Sequence, residues 1–357
     1  MHTVRVFLGL LIASGCHVTI ERDQGTLPLS FKVETREETG TEESPLPYTT
    51  ESMQFTLDVQ AIDFNGESAD WFDGEVFLDL APRGRLAKGQ ARSFRLMKGR
   101  AEGVTVQVQK IHGTSNIWVE DRGTEQKPGS YATGLSPAIH VQHPTLYDVS
   151  QTENIESSSL NGDFVQINTA GRRLVATGIA IDGFYIVDLD EPTDSFNAIF
   201  ARTFSRPKGV EVGDIVTALI GTVEDFYGFT QLSFPSYKID GKIDSISAYE
   251  LDPGIIDDDL AMEKLESRLV EVKNVTVCPL GESYSRFGQW VVLLDANGNC
   301  SAGTGAITIV SALSAAMFTP EDWVGEVLPR ITGNLRYHAA ATPSWILTTR
   351  SDADIES

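Results

Sequence analysis

Two stretches of this sequence align without a gap. Val212-Gly-Asp-Ile-Val-Thr-Ala-Leu-Ile-Gly-Thr-Val223 matches Val324-Gly-Glu-Val-Leu-Pro-Arg-Ile-Thr-Gly-Asn-Leu335. Gly213 falls opposite Gly325 and Gly221 opposite Gly333. Apolar character is kept opposite Val212, Ile215, Val216, Leu219 and Val223. Upstream, Arg173-Leu-Val175 echoes Arg268-Leu-Val270, and Phe184-Tyr-Ile-Val187 echoes Trp290-Val-Val-Leu293. The offset is about 110 residues, far longer than the roughly 20–50 residues of solenoid repeats, so it marks a duplicated domain. Whatever fold the first copy takes, the second must take too.

That fold is read as β. Leu174-Val-Ala-Thr-Gly-Ile-Ala-Ile181, Gly183-Phe-Tyr-Ile-Val-Asp188 and Asn197-Ala-Ile-Phe-Ala201 are short apolar runs bounded by turn residues. They lead to Leu219-Ile-Gly-Thr-Val223 and Thr230-Gln-Leu-Ser-Phe234. One helix candidate stands out, over 257–265, with an acidic start before Leu260, Met262 and Leu265. Five short strands coiled into a small barrel need glycines where strands bend, and Gly178, Gly213 and Gly221 sit inside or beside apolar runs. The pattern Leu-Val-x-x-Gly, Gly-Phe-Tyr-Ile-x-Asp, Val-Gly-Asp-x-Val, Gly-Thr-Val and Thr-Gln-Leu resembles a family of OB-fold domains. These precede the catalytic part of secreted bacterial nucleases of the endonuclease/exonuclease/phosphatase type. The resemblance implies OB-like barrels over 161–245 and 262–352. The sequence ends at Ser357, so the resemblance implies the accessory part without the enzyme.

Earlier in the chain, Phe55, Leu57, Val59 and Ala61 alternate with polar residues, as do Val104, Val106 and Val108. Asp63-Phe-Asn-Gly66, Gly74-Glu-Val76 and Gly103-Val-Thr-Val-Gln-Val108 follow one another in the order found in bacterial immunoglobulin-like domains, which this segment resembles. The resemblance implies a β-sandwich over 48–125. The expected fold class is therefore all-β, an N-terminal Ig-like sandwich followed by two OB-fold-like barrels. Residues 126–160, rich in Gly, Ser, Thr and Pro, read as a linker that also begins the next domain. Residues 16–47 read as an acidic tether, although the alternation in Leu27-Pro-Leu-Ser-Phe-Lys-Val33 also fits a short strand.

The N-terminus carries Arg5, an apolar run over 6–12 and then Ala13-Ser-Gly15 before Cys16. A basic start, a short apolar core and small residues describe a signal peptide, here 1–15. The run is too short to span a bilayer, which takes about 20 apolar residues. The cysteine after the cut resembles the lipobox of bacterial lipoproteins, with Ala13 in place of the Leu usual there. The resemblance implies acylation of Cys16 and a lipid anchor in the membrane. His17 follows, where Asp is the usual inner-membrane retention signal, so outer-membrane sorting at the bacterial cell envelope is implied. The two remaining cysteines, Cys278 and Cys300, read as one disulfide in an exported protein. Two free thiols are the alternative, and a metal site is disfavoured because no histidine lies near either in sequence.

A formal charge of -22, from 28 basic and 50 acidic residues, repels polyanions at long range. It favours a protein or cationic partner. No Gly-x-Ser-x-Gly elbow, His-Glu-x-x-His pair or phosphate loop is present, so no catalytic residue, cofactor or metal is assigned. Asp295-Ala-Asn-Gly-Asn299 lacks the glycine and glutamate of a calcium loop and reads as a turn. Asp257-Asp-Asp259 reads as a helix start, and His140 and His143 as a surface pair. The candidate ligand-facing surface of the first barrel is Tyr185, Arg202, Arg206 and Tyr227. Phe184, Phe226, Phe229, Arg172, Arg173 and Lys208 are further aromatic and basic candidates. The expected function is a non-catalytic envelope lipoprotein that binds protein or glycan. The alternative is a nucleic-acid-binding OB protein accessory to an extracellular nuclease, using aromatic stacking in a basic groove.

Overall fold

Alternating burial builds the first unit. In β2 (Met53–Ile62) the side chains of Phe55, Leu57, Val59 and Ala61 point inward and their neighbours outward. The computed structural model describes residue 28 and residues 30–123, 129–152, 157–294, 299–300, 303–311, 314–315, 317–338 and 344–357. Within them the chain is all-β, with a few short helices. Besides β2, the first unit holds β1 (Ser30–Thr35), β3 (Gly74–Ala81), β4 (Arg85–Leu86), β5 (Ser93–Leu96), β6 (Arg100–Gln109), β7 (Gly113–Glu120), β8 (Thr133–Leu135) and β9 (Ile139–Val141). They run in the order β4-β6-β2-β1-β8-β7-β3-β5, with β9 on β7. The sheet curls round one core that includes Phe31, Phe55, Leu78, Val106 and Ile117.

Two expectations change here. Residues 30–35, read as part of the tether, form a strand paired with β2 from Ser30↔Ile62 to Thr35↔Leu57. Residues 133–141, read as linker, supply β8 and β9, both paired with β7. These strands are three residues long, too short to register as a period among glycines and prolines.

The second unit opens with α1 (Leu146–Ser150), also inside the expected linker. Thr145 and Asp148 form a capping box at its start. The helix places Leu146 and Val149 in the core of a barrel with Leu174, Phe184, Ile186, Leu219 and Leu232. That barrel consists of β11 (Leu174–Ile179), β12 (Gly183–Asp188), β13 (Ala198–Arg202), β14 (Asp214–Phe226) and β15 (Phe229–Lys242), while β10 (Phe164–Gln166) pairs along β14. Ladders β11-β12-β13-β15-β14-β11 close the ring, and only β13 and β15 run parallel.

The third unit repeats this circuit. It holds β16 (Tyr249–Glu250), α2 (Asp259–Glu263), β17 (Leu269–Val277), α3 (Glu282–Phe287), β18 (Gln289–Leu293), β19 (Ala306–Val310), β20 (Val327–His338), β21 (Ser344–Thr348) and β22 (Ile355–Glu356). Ladders β17-β18-β19-β21-β20-β17 close it, with β19 and β21 parallel. The duplication read from the sequence is thus a duplication of topology. Gly213 (φ +96°) and Gly325 (φ +84°) turn the chain into β14 and β20, in a region that favours glycine. The expected helix over 257–265 is α2, with the Asp258 carboxylate accepting from Leu260 N and Ala261 N at 3.1 Å each. No helix among the described residues is long and apolar enough to cross a membrane.

Candidate functional site

The two barrels meet on the face that carries Tyr185. Asn334 Nδ2 in β20 donates to Thr177 Oγ1 at 2.9 Å, and Arg350 Nη1 donates to the Thr177 carbonyl at 3.1 Å. Arg268 Nη1 donates to Asn197 Oδ1 at 2.6 Å, and Phe196 N to the Lys264 carbonyl at 2.9 Å. Gly178 lets the seam close, because a Cβ there would stand 2.1 Å from Asn334 Oδ1. Tyr185 lies inside this seam and is only 4 % exposed. Its ring is 4.7 Å from Phe200, which is 5.6 Å from Phe229. Burial pushes the Tyr185 phenol up to about 12. Tyr185 is therefore buried away from open solvent, and it lines the cleft between the barrels. Tyr185 lies on the face of its own barrel that the second barrel covers.

Arg202 and Tyr227 stand elsewhere, on an exposed ridge. The Arg202 guanidinium lies 4.6 Å from the ring centroids of both Phe204 and Phe226. Phe204 stacks on Phe234 at 4.5 Å, and Phe226 meets Tyr227 edge-on at 4.9 Å. Five side chains thus form one run, Phe234–Phe204–Arg202–Phe226–Tyr227. Phe234 is 75 % and Tyr227 72 % exposed. Local backbone aims them outward. Tyr227 and Gly228 are the two-residue turn between β14 and β15, with φ of +56° and +82°. Phe234 (φ +53°) sits in a bulge of β15 facing Gly221, where the register slips between Ile220↔Ser236 and Thr222↔Ser233. Phe204 has φ +59°. Bulky residues in this region are uncommon and cost energy. Phe204 and Phe234 were missed from sequence. Their signal is an aromatic next to Ser-Arg-Pro207 or Pro235, where apolar alternation has already stopped.

Acids flank the ridge. Asp182 Oδ2 lies 3.8 Å from Arg202 Nε. Glu224 accepts from Ser233 Oγ and from Gln231 Nε2 at 2.9 Å; these bonds, Ser233 foremost, and nearby Arg202 hold its carboxyl below the usual range. Two other basic candidates are committed. Arg172 pairs with Asp188 at 2.7 Å and Glu191 at 2.6 Å, and Arg173 with Asp190 at 2.7 Å. Arg206 lies at the rim of a cleft of about 650 Å³ between the barrels. Arg336, over the Phe229 ring at 4.7 Å, lines the same cleft.

A second polar feature of the seam was not legible in sequence. Glu263 and Glu266, 2 % and 7 % exposed, sit between α2, the β14–β15 turn and β20. Glu266 Oε2 accepts from Thr230 N at 3.0 Å, while Glu266 Oε1 and Glu263 Oε2 have no donor. Burial, with Asp225 and Asp259 nearby, pushes Glu263 up to about 8, and burial beside Glu263 raises Glu266 as well.

Cys278 and Cys300 form the expected disulfide, with Cα atoms 5.7 Å apart. Cys278 N donates to the Val291 carbonyl at 2.9 Å, which seats it beside β18. His140 and His143 do not face one another. His140 Nδ1 is 3.3 Å from Thr114 Oγ1, and His143 lies 6.1 Å from His112, which burial pushes down to about 4. Among the described residues no group of three or more His, Cys, Asp or Glu side chains is placed to hold a metal ion. Cys16 and the turn expected at Asn297-Gly298 lie outside the described residues. No protein-family model and no curated protein matches the sequence.

Proposed function

We propose that this chain is an exported, lipid-anchored, non-catalytic interaction protein of the bacterial envelope. In this reading an Ig-like domain is followed by two OB folds. The OB assignment draws support from the shared circuit, strands 1-2-3-5-4 closing on strand 1 with strands 3 and 5 parallel. The observation that carries the function is the run of Phe234, Phe204, Arg202, Phe226 and Tyr227, exposed at Phe234, Phe204 and Tyr227 and half-buried at Arg202 and Phe226. Aromatic residues and arginine dominate the energetic centres of protein interfaces, and a contiguous exposed apolar patch marks an interaction site. The acidic flank of Asp182 and Glu224 opposes a polyanion. So does the covering of Tyr185, Phe200 and Phe229, which removes a stacking platform that single-stranded nucleic acid would need.

A photo-crosslinking residue in place of Tyr227 should give a discrete protein adduct in intact envelopes, and Phe204→Ser with Phe234→Ser should abolish it. Adducts that persist in the double variant would remove the ridge from the function. Tight, salt-dependent binding of single-stranded DNA would favour the nucleic-acid reading instead. The anchor has its own test. Cys16→Ala should move the protein from the membrane to the soluble fraction and remove fatty-acid label; unchanged retention would end that part of the proposal.

A further inference from the structure

The cleft between the barrels carries charge of the opposite sign to the chain. Its barrel-1 wall comes from Ile179, Ile181, Tyr185 and Phe200, and its barrel-2 wall from Gln289 of β18, Val310 of β19, β20, β21 and the residues just after β21. Arg206, Arg336, His338 and Arg350 line it, against the single acid Asp182. Arg350 is already used, held by Asp354 at 2.7 Å. Among the described residues Arg206 and Arg336 have no carboxylate within ion-pair distance. Arg336 Nε is buried and has no acceptor. Asn334, 1 % exposed, also lines the cleft, and its Oδ1 has no donor. Buried polar atoms in folded proteins find partners, and each one left without a partner costs about 1–3 kcal/mol. Two such atoms lie on this wall: Asn334 Oδ1 packs against Gly178, and Arg336 Nε, in a side chain that lines the cleft, marks a place where a partner arrives from outside.

The geometry points to a binding site for a small organic oxyanion, a carboxylate or phosphate carried on an apolar body. The guanidinium of Arg336 would take the oxyanion. A planar fork suits two oxygens at once, and its seat on Phe229 fixes its direction. Arg206 closes the site from the opposite barrel. Ile179, Ile181, Val310 and Ile346 receive the apolar part. A cleft of about 650 Å³ lies within the range of small-molecule sites, roughly 300–1,000 Å³. The overall charge of -22 does not oppose this. An extended polyanion meets the whole surface field, whereas a small anion in the cleft meets its nearest charges, with more distant ones screened over about 8 Å at physiological salt.

The test is titration calorimetry of the full chain with phenyl phosphate and with benzoate, beside inorganic phosphate and neutral benzyl alcohol. At least one aryl anion should bind one-to-one and saturably, more tightly than either control, and the better of the two identifies the head group. Arg336→Gln should weaken that binding about tenfold and Arg336→Lys by less, since the charge stays and the fork is lost. Arg206→Gln, at an exposed position, should weaken it about threefold without disturbing the fold. Phe204→Ser with Phe234→Ser should leave it unchanged, which separates this site from the ridge. Absence of saturable heat with either aryl anion would overturn the assignment, as would binding that neither arginine substitution weakens.

Discussion

A methyl group on Gly333 would stand 2.5 Å from the Thr348 carbonyl oxygen, and one on Gly221 2.7 Å from Leu232 Cγ. Both glycines lie on the fourth strand of a barrel against atoms of the fifth, so a side chain there would have to displace them. Gly333→Ala should cost about 2 kcal/mol, in the range for overpacking, and lower the thermal midpoint of the third unit. An unchanged midpoint would mean that the strands have room to part. These glycines were legible because the sequence states them twice, at the same offset as Gly213 and Gly325. Tyr185 was legible only in part. A period of two assigns a side chain to one face of its own sheet, but it does not reveal that β20 and β21 will lie across that face. The same blindness hid Glu263 and Glu266. In sequence they look like solvated acids on a short helix, and only the seam makes them buried.

Among the elements, β2 and β6 announced themselves by alternation and β11, β12 and β13 as short apolar runs between turn residues, and the disulfide by the count of cysteines. What stayed hidden was short. The three residues each of β8 and β9, the five of α1 and the six of α3 hold less than two turns of helix or two pleats of strand. Their positions depend on partners distant in sequence, as in Val119↔Gly134 and Ser115↔Ile139. The disulfide works at this scale. Cys278 follows β17, Cys300 lies beyond β18, and the bond closes a separation of 22 residues that spans α3. On the chain-entropy account it contributes about 3 kcal/mol. Cys278→Ser with Cys300→Ser should lower stability by that order in the third unit, and hydrogen exchange in β17 and β18 should accelerate while β11 and β12 keep their protection. Equal acceleration in both barrels would show that the bond braces the pair as a whole.

At the scale of the molecule, the barrels are joined by a polar seam whose acids have no paired cation among the described residues. Glu263 ends α2 and Glu266 lies between α2 and β17, both in the third unit. Asp225 of β14, Asp259 of α2 and Tyr337 of β20 face them, and Thr230 N of β15 donates to Glu266. With acids around them and no cation paired, the two carboxyls are held as neutral acids in the docked state. Undocked and in water they ionise near their ordinary value of 4.5, whereas Glu263 in the seam ionises only near about 8. Between those values the docked state binds more protons than the open one. Stability is therefore fully present below about 4.5 and falls as pH rises toward about 8. Buried His112 contributes the opposite slope, since its pKa is lowered to about 4 and its contribution is lost as pH falls through about 6.5 to 4. A difference between variants isolates the seam. Glu263→Gln with Glu266→Gln keeps an acceptor for Thr230 N and cannot ionise. Relative to the parent, this variant should gain stability progressively between about pH 5.5 and pH 8.5, reaching a few kcal/mol at the upper end. Urea midpoints read across that range measure it. A parent and variant that keep a constant difference throughout would show that the seam carboxyls are charged in the docked protein, and that some cation outside the described residues holds them.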